Sequence, residues 1–266
     1  MDPRPADLIW VMPAEGEVQE LPPLEALFFW LSTIGCQPSG ANHRVPTMKR
    51  AIVFANGELP DPAAIRPLLQ PDDWIVAVDG GVRHALACGR APQLVIGDLD
   101  SFPANLRAEL EAGGTEFLTY PVAKDETDLE LALLHVAASG ATAVVIVGAL
   151  GDRLDHTLTN VQLLARKELL PLEVRMVDGP QTACLVWSEA TIRGAAGDRV
   201  SLIPLGGDAK GVSTRGLAWP LRDEALRFGE GRGVSNVMTG PTAHIQLTAG
   251  RLLCVHYRST DRRASR

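Results

Sequence analysis

From residue 51 the chain alternates short, β-branched apolar runs with stretches whose apolar residues recur every three or four positions. The runs at 51–55, 74–78, 94–96, 115–118, 143–147 and 173–177 predict strands. The stretches at 62–69, 82–88, 104–112, 128–138 and 155–169 predict helices. A run such as Ala143-Val144-Val145-Ile146-Val147 has no polar face, which suits a strand covered on both sides. With helices between such strands, the pattern predicts an α/β domain: a parallel sheet with flanking helices. Thr127 and Glu130 form a capping-box signal at the start of the 128–138 helix. After about residue 180 the helical spacing stops. Short runs at 182–187, 198–204, 210–213, 242–248 and 252–257, broken by Gly, Pro, Asn and Asp, predict a small antiparallel β domain, a sandwich or barrel.

The first 47 residues hold seven of the 19 prolines and show no sustained period. They are expected to be a flexible extension or the product of an upstream start codon. The expected organisation is therefore an extension at 1–47, an α/β domain at 48–179, a β domain at 180–258 and a disordered basic tail at 259–266. The formal net charge of −7, with 46% hydrophobic and 21% charged residues, describes a soluble globular chain. It has no basic stripe of the kind that nucleic acid or an anionic membrane requires. Cys36, Cys88, Cys184 and Cys254 lie far from zinc-ligand or redox-motif spacing, which predicts free thiols in a reducing cytoplasm. The apolar segment from Leu24 to Cys36 carries Glu25, is too short to span a bilayer and lacks a basic leader.

Ligands of an open parallel sheet bind beyond the carboxyl ends of its strands. Four predicted strands are followed by Asp and Gly: Asp79-Gly80-Gly81, Gly97-Asp98-Leu99-Asp100-Ser101, Lys124-Asp125-Glu126-Thr127-Asp128, and Gly148-Ala149-Leu150-Gly151-Asp152-Arg153-Leu154-Asp155-His156. Carboxylates gathered on one edge repel each other unless a cation joins them. Hard oxygen ligands without a Cys/His pattern favour Mg²⁺. Glycines let backbone N–H groups approach phosphate, while Lys124 and Arg153 supply positive charge. The constellation predicts phosphoryl-type transfer from a nucleotide. Walker, Gly-x-Ser-x-Gly and Gly-x-Gly-x-x-Gly motifs are absent. Asn160, roughly 140° around its helix from Asp155, reads as a solvent-facing amide.

These motifs, in this order, resemble the thiamine pyrophosphokinase family. Arg215-Gly216-Leu217-Ala218-Trp219 and Gly233-Val234-Ser235-Asn236 extend the resemblance, which runs from about 50 to 257. It implies an α/β catalytic domain followed by a β-sandwich domain, acting as a homodimer with its active site at the interface. It implies transfer of a pyrophosphoryl group from ATP to the hydroxyethyl oxygen of thiamine. Mapped by motif, Asp98, Asp100, Asp128 and Asp155 hold Mg²⁺ and the phosphates, and Arg153 contacts phosphate. Asp79, Gly80, Gly81, Lys124, Asp125, Gly148, Gly151 and His156 lie beside the nucleotide. Trp219, Ser235 and Asn236 line the thiamine pocket. A carboxylate, Asp100 or Asp128, is expected to accept the alcohol proton.

Two departures stand out: Asp152 before the arginine, and Val237-Met238 after Asn236 where many relatives are polar or acidic. Two other readings remain at this stage. One is a diphosphokinase acting on another hydroxymethyl heterocycle such as a pterin; the other is a non-catalytic nucleotide- or thiamine diphosphate-binding regulator.

Overall fold

The computed structural model describes residues 50–99, 102–151 and 153–259. The expectations for residues 1–47, Asp100, Ser101, Asp152 and the tail from 260 onward lie outside the described residues. The chain forms two units and passes from one to the other between Val174 and Arg175.

In the first unit, β1 (Arg50–Phe54), β2 (Trp74–Val78), β3 (Leu94–Gly97), β4 (Glu116–Thr119) and β5 (Ala143–Val147) lie in the order β5-β1-β2-β3-β4. Every pair is parallel. The crossovers carry α1 (Pro62–Ile65), α2 (Val82–Ala87), α3 (Ala104–Ala112), α4 (Asp128–Ala138) and α5 (Leu154–Leu163). The apolar runs of β1, β2, β3 and β5 are buried almost throughout, as their lack of a polar face predicts. Helix α4 buries Leu129, Leu131, Leu133, Leu134 and Val136 and packs on β1, β2 and β3. Each such side chain contributes about 1.5–3 kcal/mol of burial free energy.

The Thr127 cap forms, its Oγ1 accepting from the Glu130 N–H at 3.2 Å. The Glu130 carboxylate is held by Arg166 Nη1 at 2.6 Å. Arg166 also pairs with Glu168 and has extended backbone, so the helix predicted to run to 169 stops at Leu163 and only a 3-10 turn, Lys167–Leu169, follows. The helix predicted at 62–69 ends at Ile65 and tightens into a 3-10 turn containing Pro67, which has no N–H to continue the ladder. At the base of the sheet, Arg50 makes a two-pronged ion pair with buried Asp73 at 2.7 and 2.8 Å, tying β1 to the start of β2.

Strand β6 (Glu173–Asp178) carries the chain into the second unit. Read from sequence among the parallel set, it pairs antiparallel with β7 (Gln181–Val186). One sheet of this unit has the order β12-β9-β14-β7-β6, with β9 (Arg199–Pro204), β12 (Asn236–Val237) and β14 (Leu252–Tyr257). The other runs β11-β10-β13-β8, with β8 (Glu189–Arg193), β10 (Ala209–Arg215), β11 (Glu224–Leu226) and β13 (Thr242–Gln246). Val186, Ile192, Leu202, Val212, Leu226, Ile245 and Leu252 belong to one core fed by both sheets, which makes the unit a sandwich. Cys184 and Cys254 sit opposite each other across β7 and β14 in that core, and the described cysteines are free thiols. No helix among the described residues is long and apolar enough to cross a membrane.

Candidate active site

The site is built where β1, β2, β3 and β5 end. Strand β2 runs into a 3-10 turn, Asp79–Gly81, that leads directly into α2. Asp79 takes a left-handed φ of 46°, which Asp tolerates better than a branched residue. Its carboxylate lies over Gly97, the last residue of β3, and a Cβ there would collide with Asp79 Oδ1. Gly80 and Gly81 face equally crowded ground. A Cβ on Gly80 would land on the Asn56 amide, and one on Gly81 on the Phe54 carbonyl oxygen. These glycines let α2 start hard against the end of β1, so the protein itself, and not an open phosphate cradle, occupies the space a side chain would need. Gly81→Ala is therefore expected to destabilise the fold by about 2 kcal/mol or more, measured as a loss of denaturation midpoint.

The end of β1 is zipped to the end of β5. Ala55 N–H donates to Val147 O at 2.8 Å, Gly57 to Gly148 O at 2.7 Å and Glu58 to Leu150 O at 2.8 Å. Gly148 takes φ 68°, and a Cβ on it would sit 2.9 Å from Ala55 O. A Cβ on Gly151 would make only ordinary contacts with Gly57 and Glu58. Buried His84 closes the loop from α2 through an Nε2 contact of 2.8 Å to the Gly57 carbonyl. Burial lowers its pKa, so the neutral ring donates this bond. Arg83 adds contacts to the carbonyls of Asn56 and Gly57 at 3.3 and 3.2 Å.

Asp79, Asp98 and Asp128 come together on this rim. Burial, then the charge and hydrogen bond of Asp128, then the charge of Asp98, push Asp79 up to about 7, while Lys124 opposes the rise. Asp79 Oδ1 is buried without a hydrogen-bond partner. Lys124 Nζ stands 2.9 Å from Asp128 Oδ1 and donates to Pro121 O at 3.0 Å. An orphaned carboxylate oxygen beside two further carboxylates is a set of hard donors that fits a divalent cation. Among the described residues alone, which exclude Asp100, no group of three or more such side chains has metal-holding geometry.

Other predicted residues lie differently. Asp155 and Arg153 are 63% exposed and pair with each other at 2.5 Å. The Arg153 hydrogen bond holds Asp155 below the usual carboxylate range, and the charges acting on it are Arg153 and His156, not the rim acids. Asp125 and His156 are exposed. Asn160, read as solvent-facing, instead donates to the Ala149 carbonyl at 2.7 Å and braces the loop after β5. Asn56, Gly57, Arg83 and His84 were missed. The signal for the first two was present, because Asn56-Gly57 follows β1 as Asp79-Gly80 follows β2; nothing in sequence marks His84.

In the second unit, the structure joins Trp219 to Asn236. The Trp219 indole is 65% exposed, whereas Asn236 is buried at the start of β12. Ser235 is exposed, takes φ 60°, and its N–H donates to Ser201 Oγ at 3.0 Å. Val237 lies in β12, and buried Met238 belongs to the sandwich core. A cavity of about 600 Å³ in this unit is lined by β10, β13 and the turn at 220–223, including Arg215, Leu217, Pro220, Arg222 and His244. None of the rim acids lines it.

The profile "Thiamin pyrophosphokinase, catalytic domain" matches residues 65–175, and "Thiamin pyrophosphokinase, vitamin B1 binding domain" matches residues 189–252. The thiamine pyrophosphokinase of Bacillus subtilis is 29% identical over 190 residues, covering 71% of this chain and 87% of that protein. The crystal structure of thiamine pyrophosphokinase from Bacillus subtilis aligns with a TM-score of 0.71 at 24% identity, over 79% of this chain and 100% of that one. The structure of thiamin pyrophosphokinase from Geobacillus thermodenitrificans aligns with a TM-score of 0.69 at 26% identity, over 80% of this chain and 99% of that one. The two matches fall in order on the parallel-sheet unit and on the sandwich, and the chain belongs to the thiamin pyrophosphokinase family.

Proposed function

We propose that the chain transfers a pyrophosphoryl group from ATP to the hydroxyethyl oxygen of thiamine, giving thiamine diphosphate and AMP. The observation that carries this reading is the meeting of Asp79, Asp98 and Asp128 beside Lys124 on one sheet edge, with one carboxylate oxygen left unpartnered. Asp98 and Asp128, with Asp100 of the same motif and Asp155, which pairs with Arg153, would hold Mg²⁺. When bound, the ion supplies positive charge to the phosphates and draws electrons from the phosphorus under attack.

The chain's own groups do the rest. Lys124 offsets negative charge at the rim, and Arg153, an exposed guanidinium paired with Asp155, would bind phosphate in exchange for that carboxylate. The backbone around Gly57 and Gly148 fixes the wall beside the nucleotide. An alcohol is a weak nucleophile, so its positioning provides much of the acceleration. Asp128 or Asp100 accepts its proton. Trp219 offers a flat face to the cationic thiazolium or the pyrimidine. The sandwich of one protomer presents that face to the catalytic unit of a second copy, so the working form is a homodimer. Free, buried thiols support a reducing, cytoplasmic setting.

The test is AMP release from MgATP across a panel of alcohols. AMP is expected only with thiamine present. AMP formed with a hydroxymethylpterin and not thiamine would replace the acceptor, and binding of nucleotide without AMP formation would mark a regulator.

A further inference from the structure

We propose that Asn236 is a positioning residue that fixes the backbone carrying the Trp219 indole, the platform for the acceptor ring, acting through that tryptophan and not by touching the acceptor. The proposal rests on the reading of Trp219 as part of the acceptor site.

The segment bearing Trp219 is sewn down on both sides. Before it, Ala218 N–H donates to Val237 O at 2.8 Å, and Leu217 bridges Met238. After it, Leu221 N–H donates to Thr214 Oγ1 at 2.9 Å, and Thr214 N–H to Leu221 O at 3.0 Å. Between these fastenings stand Trp219 and Pro220, and proline has no N–H to give. Both backbone groups of Trp219 go to one side chain. Its N–H donates to Asn236 Oδ1 at 3.1 Å, and its carbonyl accepts from Asn236 Nδ2 at 2.7 Å.

Asn236 Oδ1 also takes the Val237 N–H at 2.9 Å. Both lone pairs of the amide oxygen and one of its two N–H donors are thus committed within the protein. The amide works as a short strand edge, pairing with the tryptophan backbone as a neighbouring strand would. Its own burial is secured by β12, where Asn236 pairs with Val200 of β9. The result is a large aromatic face turned to solvent on a backbone with little freedom. Preorganising such a face lowers the entropy lost when a planar ring stacks on it.

This assignment separates from a direct contact by its kinetics. In steady-state AMP formation, Asn236→Ala is expected to raise the KM for thiamine about tenfold, the scale of losing these hydrogen bonds, with the KM for ATP unchanged. Asn236→Asp keeps the oxygen that accepts from Trp219 and Val237 but replaces the donor to the Trp219 carbonyl with a second, charged acceptor that repels it. A rise at least as large as that of the alanine variant is expected, and this variant carries the test if the alanine variant does not fold. In a Trp219→Ala background, replacing Asn236 should add nothing further. In protein labelled with 5-fluorotryptophan, the fluorine resonance absent from Trp219→Ala should shift or broaden in the Asn236 variants while the other tryptophan resonances stay.

An equal added rise in the Trp219→Ala background would show Asn236 acting on the acceptor itself and overturn the proposal. An unchanged thiamine KM together with an unmoved Trp219 resonance in the Asn236 variants would overturn it as well. Trp219→Ala with an unaltered thiamine KM would instead remove the acceptor-site reading on which it rests.

Discussion

Asp98→Asn is expected to lower turnover of MgATP and thiamine by at least about 10²-fold, the scale of losing one preorganised electrostatic contact. Asp98 leaves β3 directly after Gly97 and adds its charge to the group formed by Asp79 and Asp128. Asparagine keeps the shape and removes the charge, so the loss reads the charge. The residue is half-buried at a strand end, and the parallel sheet beneath it keeps its apolar core, so the variant should retain its circular dichroism spectrum. Steady-state AMP release measures the effect. Near-normal turnover would remove Asp98 from the reaction centre and leave the acidic rim without a catalytic purpose.

Asp79→Asn is expected to act on stability in the opposite direction from activity. In the folded chain Asp79 is raised from 3.8 to about 7, first by burial and then by Asp128 and Asp98. Between these values the folded state binds a proton that the unfolded state has released. Stability conferred by this group is therefore present at low pH and lost as pH rises through about 7. With chelator present, the wild-type melting temperature should fall across that window, and the Asp79→Asn curve should be flatter. At pH 8 the variant should melt higher by roughly 5 °C. Asparagine also accepts the left-handed backbone that Asp79 adopts. Its turnover should fall, because the rim has lost a carboxylate. Parallel melting curves for the two proteins would show that the rim acids do not strain the fold.

The catalytic fold was legible because its strands carry no polar face. Val144–Val147 and Ile75–Val78 have one reading as buried parallel strands, and the acids that follow them fall on one edge by topology. The helix at 128 was legible through its cap, yet only half of the box forms, because Arg166, distant in sequence, claims Glu130. That ion pair is invisible to local pattern, as is the stop of α5. In the second unit β8, β11 and β12 escaped notice. Strand β8 follows β7 after only Trp187-Ser188, and the others are three and two residues long.

The site was legible in residue type and less so in arrangement. Sequence grouped Asp155 with the rim acids, but a guanidinium two residues away holds it among exposed groups. It marked Asn236 for the acceptor pocket but not the bonds its amide makes to the backbone of Trp219. It skipped Asn56-Gly57, although the same search applied to the end of β1 would have found it. His84 could not be found this way, because a histidine inside a helix reads the same whether it meets solvent or a carbonyl.

The crowding around Gly57, Gly81 and Gly148 bears on how such an enzyme drifts or is redesigned. Where a methyl group has no room, the wall is written in main chain and cannot be rewritten one side chain at a time. Libraries aimed at reshaping this rim would waste most of their members on these glycines. Diversity belongs at the adjoining exposed positions Asn56, Glu58 and Arg83, where novel side chains meet water first.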